Sequence, residues 1–427
     1  MSFAGISFQM IHYVSTFGVG DAWVANELHE LDRAGIPYVL HAVREPPSSY
    51  HSSNWAKELR ANTRYIYPIP GFGTLWSAIV APVLFRRRYF SACLSAFFGE
   101  RENWRARVAV IVHFFVACHW ARMLRHENLS HVHSQWAHSG ATIGMYACWL
   151  LGKSFSFTGH ACDLFRDRVA LWEKISRAEF IVCISEFHRQ FFLENGAQPN
   201  KLIVVYCGID PTLFTAGSTS DARSGRFHIL ASCRLVEKKG LRYLLDACRL
   251  LLDQGIDFTC TIGGSGPLEG QLREYADELE LGDRVVITGK AIQQEDIPEF
   301  MHSGDVYCLP CVWAADGDVD GLPQMLMEAM ACGLPVVSTR LVGIPDLVVH
   351  EETGLLVEPN EAVALAEALA RYHRDRALRR KLSIAGREYV LERFDIRDCL
   401  SPLLDMYRRK LGLQISQECG KQVAIRS

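Results

Sequence analysis

The residues able to do chemistry are gathered most densely between positions 234 and 328. Arg234 and Lys239 lie in Arg-Leu-Val-Glu-Lys-Lys-Gly, directly after the apolar run Phe227–Cys233. A guanidinium fork and an ammonium point charge at the end of a strand suit a diphosphate, because ligands of open α/β sheets bind at that edge. The same residues also read as a solvated basic turn. Further on, Asp320-Gly321-Leu322-Pro323 opens a helical stretch that Gly333 and Pro335 end. Pro323 fits the first helical turn. The free amides and dipole of a helix start attract an anion. Glu328 lies about a turn and a half inside that helix. On spacing alone, Asp320 and Glu328 read equally well as helix-flanking charges.

Asp316, Asp318 and Asp320 alternate and are followed by Gly321, as in a calcium loop. The bidentate Glu that such a loop requires is replaced by Met327, and Glu328 comes one residue late. A metal–diphosphate needs only two of these acids. Gly263-Gly264-Ser-Gly266 and Gly18-Val-Gly20 are glycine turns after apolar runs. Both depart from the dinucleotide fingerprint, at Glu269 and Trp23, yet each allows close backbone approach to a phosphate. His160 and Asp163 follow another run, in Phe-Thr-Gly-His-Ala-Cys-Asp. A lone His there is either structural or a ligand contact. His131, His133 and His138 lack zinc spacing to cysteines. Cys308 and Cys311 end a strand instead of opening a helix, which suits buried thiols better than a redox pair.

These residues need elements to position them. The second half alternates short apolar runs (Phe227–Cys233, Phe258–Ile262, Arg284–Thr288, Val306–Leu309, Pro335–Ser338) with amphipathic stretches. Gly289 and Lys290 follow the third run. The first half repeats the pattern at Ile6–Tyr13, Tyr38–Ala42, His131–Ser134, Phe155–Thr158, Phe180–Ile184 and Leu202–Val205. Ser185 is placed to cap the helix that follows. Strands alternating with helices imply right-handed βαβ units and parallel sheets. The polar, Gly/Ser-rich stretch 215–225 is the expected linker.

Composition bounds the classes. The chain has 427 residues, 49% hydrophobic and 22% charged, with net charge −3, so it is neither a disordered tail nor a strongly basic nucleic-acid binder. Fourteen scattered cysteines in so long a chain fit reduced thiols in a cytoplasmic compartment. The start, Met1-Ser-Phe-Ala-Gly-Ile, lacks a positive signal-peptide region. The longest apolar run, Val108–Ala121, has 14 residues, too short to span a bilayer. The net charge conceals a basic belt: residues 81–130 hold eight Arg, no Lys and three Glu, interleaved with aromatics. Such a belt reads as a membrane face, a nucleic-acid face or an ordinary amphipathic hairpin.

Taken in order, the motifs resemble retaining glycosyltransferase family 4, most strongly from Phe227 to Glu358, and within it the bacterial exopolysaccharide and capsule type. The resemblance rests on Arg234-x4-Lys239-Gly240, Gly263-Gly-Ser-Gly-Pro267 and Asp320-Gly-Leu-Pro-x4-Glu328-Ala-Met-Ala-Cys-Gly. Gly343-Ile-Pro-Asp, Glu352-Thr-Gly-Leu-Leu-Val, His131-Val-His-Ser-Gln-Trp-Ala, Phe157-Thr-Gly-His160 and Tyr206-Cys-Gly-Ile-Asp210 add to it. It implies an α/β GT-B fold: two facing Rossmann-like domains with parallel sheets and a cleft between them. The expected division is 1–214 with a helical insert at about 73–125, linker 215–225, donor domain 226–390, and a C-terminal helix in 391–427 that crosses back to the first domain.

The resemblance also implies roles. A UDP- or GDP-sugar serves as donor substrate, with no metal and no further cofactor. Arg234, Lys239, the Gly321–Leu322 amides and the Gly18–Gly20 turn hold its diphosphate. Gly264 belongs to the donor-binding turn, and Gly289 and Lys290 lie near the base. Glu328 accepts the ribose hydroxyls. Asp320, where the family more often has Glu, and His160 contact the transferred sugar. The acceptor is lipid-linked or a polysaccharide, and the place of action is the cytoplasm or the inner membrane face. An epimerase or phosphorylase on the same fold is the alternative.

Overall fold

A computed structural model of the chain describes residues 9–20, 22–46, 54–68, 71–217 and 225–413. It divides into two compact units. The first comprises the residues through Ile184, then His188–Tyr206, then Ile396 onward. The second comprises Ser185–Phe187 and Cys207–Asp395. The chain thus enters the second unit at Cys207, before the expected linker, whose residues 218–224 lie outside the described residues.

The first unit is built on seven parallel strands: β1 (Met10–Ser15), β2 (Tyr38–Ala42), β3 (Arg64–Tyr65), β4 (Leu129–Gln135), β5 (Ser154–Gly159), β6 (Phe180–Cys183) and β7 (Leu202–Val204), in the order 3-2-1-4-5-6-7. The second has six parallel strands: β8 (Phe227–Ser232), β9 (Phe258–Gly263), β10 (Val285–Ile287), β11 (Val306–Leu309), β12 (Val336–Thr339) and β13 (Leu355–Val357), in the order 10-9-8-11-12-13. Helices cover both faces of such sheets, so central strands read as continuous apolar runs; Phe180–Cys183 and Val306–Leu309 are buried at every position. The expected Ile6–Tyr13 strand begins at Met10 and runs on to Ser15; residues 6–8 lie outside the described residues.

In each sheet the strand order reverses once, at β1/β4 and at β8/β11. Loops after neighbouring strands diverge there and leave room for a ligand at the carboxyl edge. Gly18 and Gly20 follow β1, Arg234 and Lys239 follow β8 and Asp320 follows β11, at these two points, whereas His160, Gly264 and Gly289–Lys290 follow β5, β9 and β10.

Three helices follow β3: Gly71–Phe85, Arg87–Phe98 and Trp104–Leu124. Arg86, at φ 50°, separates the first two, and the Asn103 side chain accepts from the Ala106 N–H to cap the third. That third helix has 21 residues, longer than the 14-residue apolar run it contains, and by length and composition alone it could cross a membrane. It instead buries Val110, Phe114, Ala117 and Ala121 in the core of the first unit. The last helix, Ile396–Leu411, also belongs to the first unit, packing Leu400, Leu403 and Tyr407 with Val24, Leu28 and Phe180.

Candidate active site

The second unit brings two loops together at its switch point. The loop after β8 carries Arg234, Lys238 and Lys239; the loop after β11 carries Cys311, Asp316, Asp318 and Asp320. Their backbones are tied by a bond from the Val312 N–H to the Lys238 carbonyl, 2.9 Å. Gly240 makes this approach possible. Its φ is +64°, and a Cβ there would stand 1.8 Å from the Pro310 carbonyl oxygen.

Lys239 Nζ donates to Asp320 Oδ2, and Lys238 Nζ lies 3.2 Å from both Asp318 and Asp320. Burial alone would raise the Asp320 pKa, but Lys239 and Lys238 overcome it and hold the carboxyl down to about 2. Burial works against the Lys239 charge too, and Asp320 reverses that, keeping the amine protonated. Asp316 accepts from the Asp318 N–H and Asp318 from the Val319 N–H, so these acids also fold their own loop. Among the described residues, no group of three or more His, Cys, Asp or Glu is arranged to hold a metal.

Arg234 is different. It is exposed, and its guanidinium makes no hydrogen bond or ion pair with the described residues. The glycine turn after β9 supports the segment carrying it. A Cβ on Gly264 would lie 1.8 Å from the Cys233 carbonyl oxygen, and one on Gly266 would lie 2.5 Å from that of Leu235. The turn therefore approaches the Arg234 segment closely. Gly289 (φ +66°) and exposed Lys290 follow β10, and the Lys290 carbonyl accepts from the Gly264 N–H.

Asp320 leads through buried Gly321 and Leu322 into the helix Gln324–Ala331; Pro323 stands just before its first residue, one position earlier than expected. Glu328 is on that helix and 8% exposed. Its Oε2 is buried without a hydrogen-bond partner, and burial pushes its pKa up to about 7. Buried polar atoms are nearly always paired, so this orphaned oxygen leaves Glu328 able to accept a further hydrogen bond.

Two contacts escape sequence reasoning. The buried Cys311 thiol donates to Asp320 Oδ2 at 3.4 Å, and burial with Asp320 alongside keeps it protonated. Lys238 shares Asp320 with its neighbour.

In the first unit, Gly18 (φ +61°) and Gly20 form a buried turn after β1, fastened by Ser15 Oγ donating to the Gly18 carbonyl at 3.1 Å. His160 follows β5. Asp163 accepts from the backbone N–H groups of Ala137, His160 and Ala161, which sets the loop. The ring Nε2 of His160 donates to Gln135 Oε1 at 2.6 Å, and Gln135 Nε2 donates to Glu27 Oε2 at 2.8 Å. Trp136 lies over the ring at 4.7 Å between centroids. Burial lowers the His160 pKa to about 4, so the imidazole is neutral. Gln135 and Glu27 are positioning residues that no local motif announces. His131 and His133 direct their ring nitrogens to Ser154, Ser156 and Thr158 on β5.

Comparison with known proteins agrees with these features. Residues 219–389 match the family Glycosyl transferases group 1, and residues 96–213 match Glycosyltransferase Family 4. The chain is 36% identical over 242 residues to the amylovoran biosynthesis glycosyltransferase AmsK of Erwinia amylovora, covering 55% of this chain and 59% of that protein. It is 29% identical over 238 residues to a GDP-mannose-dependent alpha-(1-6)-phosphatidylinositol monomannoside mannosyltransferase of Mycolicibacterium smegmatis, covering 54% and 62%. The matched stretches thus span less than two thirds of these curated relatives. The crystal structure of Anabaena HepE in complex with UDP shares the fold, with TM-score 0.71 and 17% identity, over 94% of this chain and 100% of that one. The chain thus carries a match to Glycosyltransferase Family 4 followed by a match to Glycosyl transferases group 1, on a fold shared with solved GT-B glycosyltransferases.

Proposed function

We propose that this chain is a retaining, metal-independent glycosyltransferase. It moves a sugar from a UDP- or GDP-sugar to a lipid-linked or polysaccharide acceptor in exopolysaccharide or capsule biosynthesis. One observation carries the reading: the unpartnered, buried Glu328 carboxylate, inside a helix that starts beside the Lys239–Asp320 pair. Two ribose hydroxyls would satisfy it. The name of AmsK and the UDP bound to HepE support the same direction.

In this reading Arg234 and Lys239, with the Gly321 and Leu322 amides, neutralise the charge that grows on the departing diphosphate. Asp320 lies against the transferred sugar, held ionised by its lysines. Gly264, Gly289 and Lys290 border the base. The roles that the resemblance assigns to His160, Gly18 and Gly20 belong to the reading as well. The bond from the anomeric carbon to the diphosphate oxygen breaks, and the acceptor oxygen bonds to that carbon on the same face. The acceptor proton passes to the leaving phosphate, so no protein nucleophile is required. Lys238 and Lys239 already engage the carboxylates that a divalent ion would need. The enzyme acts in the cytoplasm, with residues 81–130 near an anionic membrane.

The test is incubation with UDP- and GDP-sugars and a polyprenyl-diphosphate-linked acceptor, with and without EDTA. The expected result is release of nucleoside diphosphate, unaffected by EDTA, and an α-linked product from an α-linked donor by NMR. Absence of release from any donor, or an inverted product, overturns it. Isomerisation of the sugar without acceptor would instead favour an epimerase.

A further inference from the structure

Exposed large apolar side chains are concentrated on the three helices after β3. Phe72, Leu75, Trp76, Ile79 and Val83 recur at helical spacing along Gly71–Phe85. Phe90, Leu94 and Phe98 do so along Arg87–Phe98, and Trp104, Val108 and Val112 along Trp104–Leu124. The exposure is high: 82% for Phe72, 77% for Val83, 79% for Phe98 and 71% for Trp104. The opposite sides are small or core residues, such as Ser77 and Ala81, Ala92 and Ala96, and Val110 and Phe114. An apolar face this rich is ordinarily covered.

The charge around it selects the cover. None of the three helices contains Asp or Glu. Half of the arginines in the basic belt serve the protein itself. Arg88 donates to the Leu151 carbonyl, Arg101 to Ser95 and Glu173, Arg107 to the Phe97 carbonyl, and Arg122 to Ser77 Oγ. The guanidinium groups of Arg86, Arg87 and Arg105 are exposed and have no hydrogen bond or ion pair with the described residues. Of the acids in the connection between the second and third helices, Glu102 accepts from the Ala170 and Leu171 N–H groups and Glu100 is exposed; an apolar face edged mainly by cations complements an anionic lipid surface. Two copies pressed together through it would set arginine against arginine.

We infer that the stripes Phe72–Val83, Phe90–Phe98 and Trp104–Val112 form a lipid-resting face, with Arg86, Arg87 and Arg105 on phosphate headgroups. This deepens the membrane part of the proposed reading. The contact is interfacial, because the core side of Trp104–Leu124 keeps that helix within the protein. It also begins before the basic belt, at Phe72, on a helix without charge.

The test is co-sedimentation of the full chain with phosphatidylcholine vesicles, with and without phosphatidylglycerol. We compare wild type, a triple variant Trp76→Ser, Ile79→Ser, Val83→Ser, and the pair Arg86→Ser, Arg87→Ser. Wild type is expected to bind the anionic vesicles. The triple variant should bind at least tenfold more weakly to both kinds, and the arginine pair should lose only the anionic preference. Thermal shift by UDP- and GDP-sugars, unchanged in the variants, shows that they are folded. Failure of wild type to bind anionic vesicles, or full binding by the triple variant, overturns the inference. So does a wild-type dimer in light scattering that the triple variant converts to monomer without changing vesicle binding. Vesicle binding without any nucleotide-sugar shift would overturn the transferase reading and leave this face standing.

Discussion

Replacing Glu328 by Gln should move stability and donor affinity in opposite directions. Burial raises the Glu328 pKa from 4.5 to about 7. A raised native pKa favours the folded state while the group is protonated, and that advantage is lost as pH rises through about 7. The shift of about 2.5 pKa units corresponds to roughly 3 kcal/mol between acid and alkaline limits. Gln imitates the protonated form, although its buried amide donors cost about 1 kcal/mol. The variant should therefore be more stable than wild type by about 2 kcal/mol near pH 8, or on the order of 5 °C in melting, and no more stable near pH 5. Donor binding has the opposite sign. Ribose hydroxyls donating to the carboxylate favour its ionised form, so affinity should rise with pH. With a free-state pKa of about 7 and a bound value back near the ordinary range, wild-type affinity for a UDP- or GDP-sugar should fall about tenfold from pH 8 to pH 6. About half a proton should be released on binding near pH 7, measurable by titration calorimetry in buffers of different ionisation enthalpy. The Gln variant should bind more weakly at pH 8 and show little pH dependence. A wild-type affinity that is flat from pH 6 to pH 8, or a Gln variant that keeps the slope, would refute the assignment.

Lys239→Ala leaves Asp320 with Lys238 and the Cys311 thiol. It should cost about 3 kcal/mol in urea unfolding and abolish nucleoside diphosphate release, and adding Asp320→Ala should restore part of the stability but none of the turnover. Gly240→Ala should cost more than 2 kcal/mol by chemical denaturation, because its Cβ collides with Pro310; Gly255→Ala, at φ +71° with nothing within 4 Å, should cost only about 1 kcal/mol. Equal costs at the two sites would show that the loop contact is unimportant. Because His160 has a pKa of about 4, the near-neutral step that Glu328 gives the kcat/KM profile should vanish in Glu328→Gln, with no second step left at the ordinary histidine value. Gln135→Leu should lower kcat more than it changes donor KM, and a near-neutral step that persists in Glu328→Gln would contradict the neutral imidazole.

Strands were legible where both faces are buried. Val306–Leu309 matches the expected limits, because an unbroken apolar run bounded by turn residues has few other uses; Tyr38–Ala42 matches too, although Tyr38 and Val39 are only half-buried. The sheet margins were not. β3 is only Arg64–Tyr65, both exposed, and β13 is the three residues Leu355–Val357 within a stretch noticed only as a family motif. Arg234, Lys239, Asp320 and Glu328 were legible as a set because their loops follow runs that declare the switch point. What remained hidden was pairing across the chain. Nothing local separates Lys238 from Lys239 or links Cys311 to Asp320, and Gln135 meets His160 only because β4 and β5 are neighbours in parallel register. At Gly264 the need for close approach was legible, and the Cys233 carbonyl that requires it was not.

The first unit is completed by Ile396–Leu411, although residues 207–395 belong to the other unit. During synthesis this inverts the usual order. The chain begins the first unit, sets it aside with Val24, Leu28 and Phe180 uncovered, and makes the whole second unit before Leu400, Leu403 and Tyr407 emerge to cover them. At about 5–20 residues per second, that interval lasts on the order of ten seconds or more. The unit that starts first is finished last, and an interrupted chain would release a complete second unit beside a first unit with an open core.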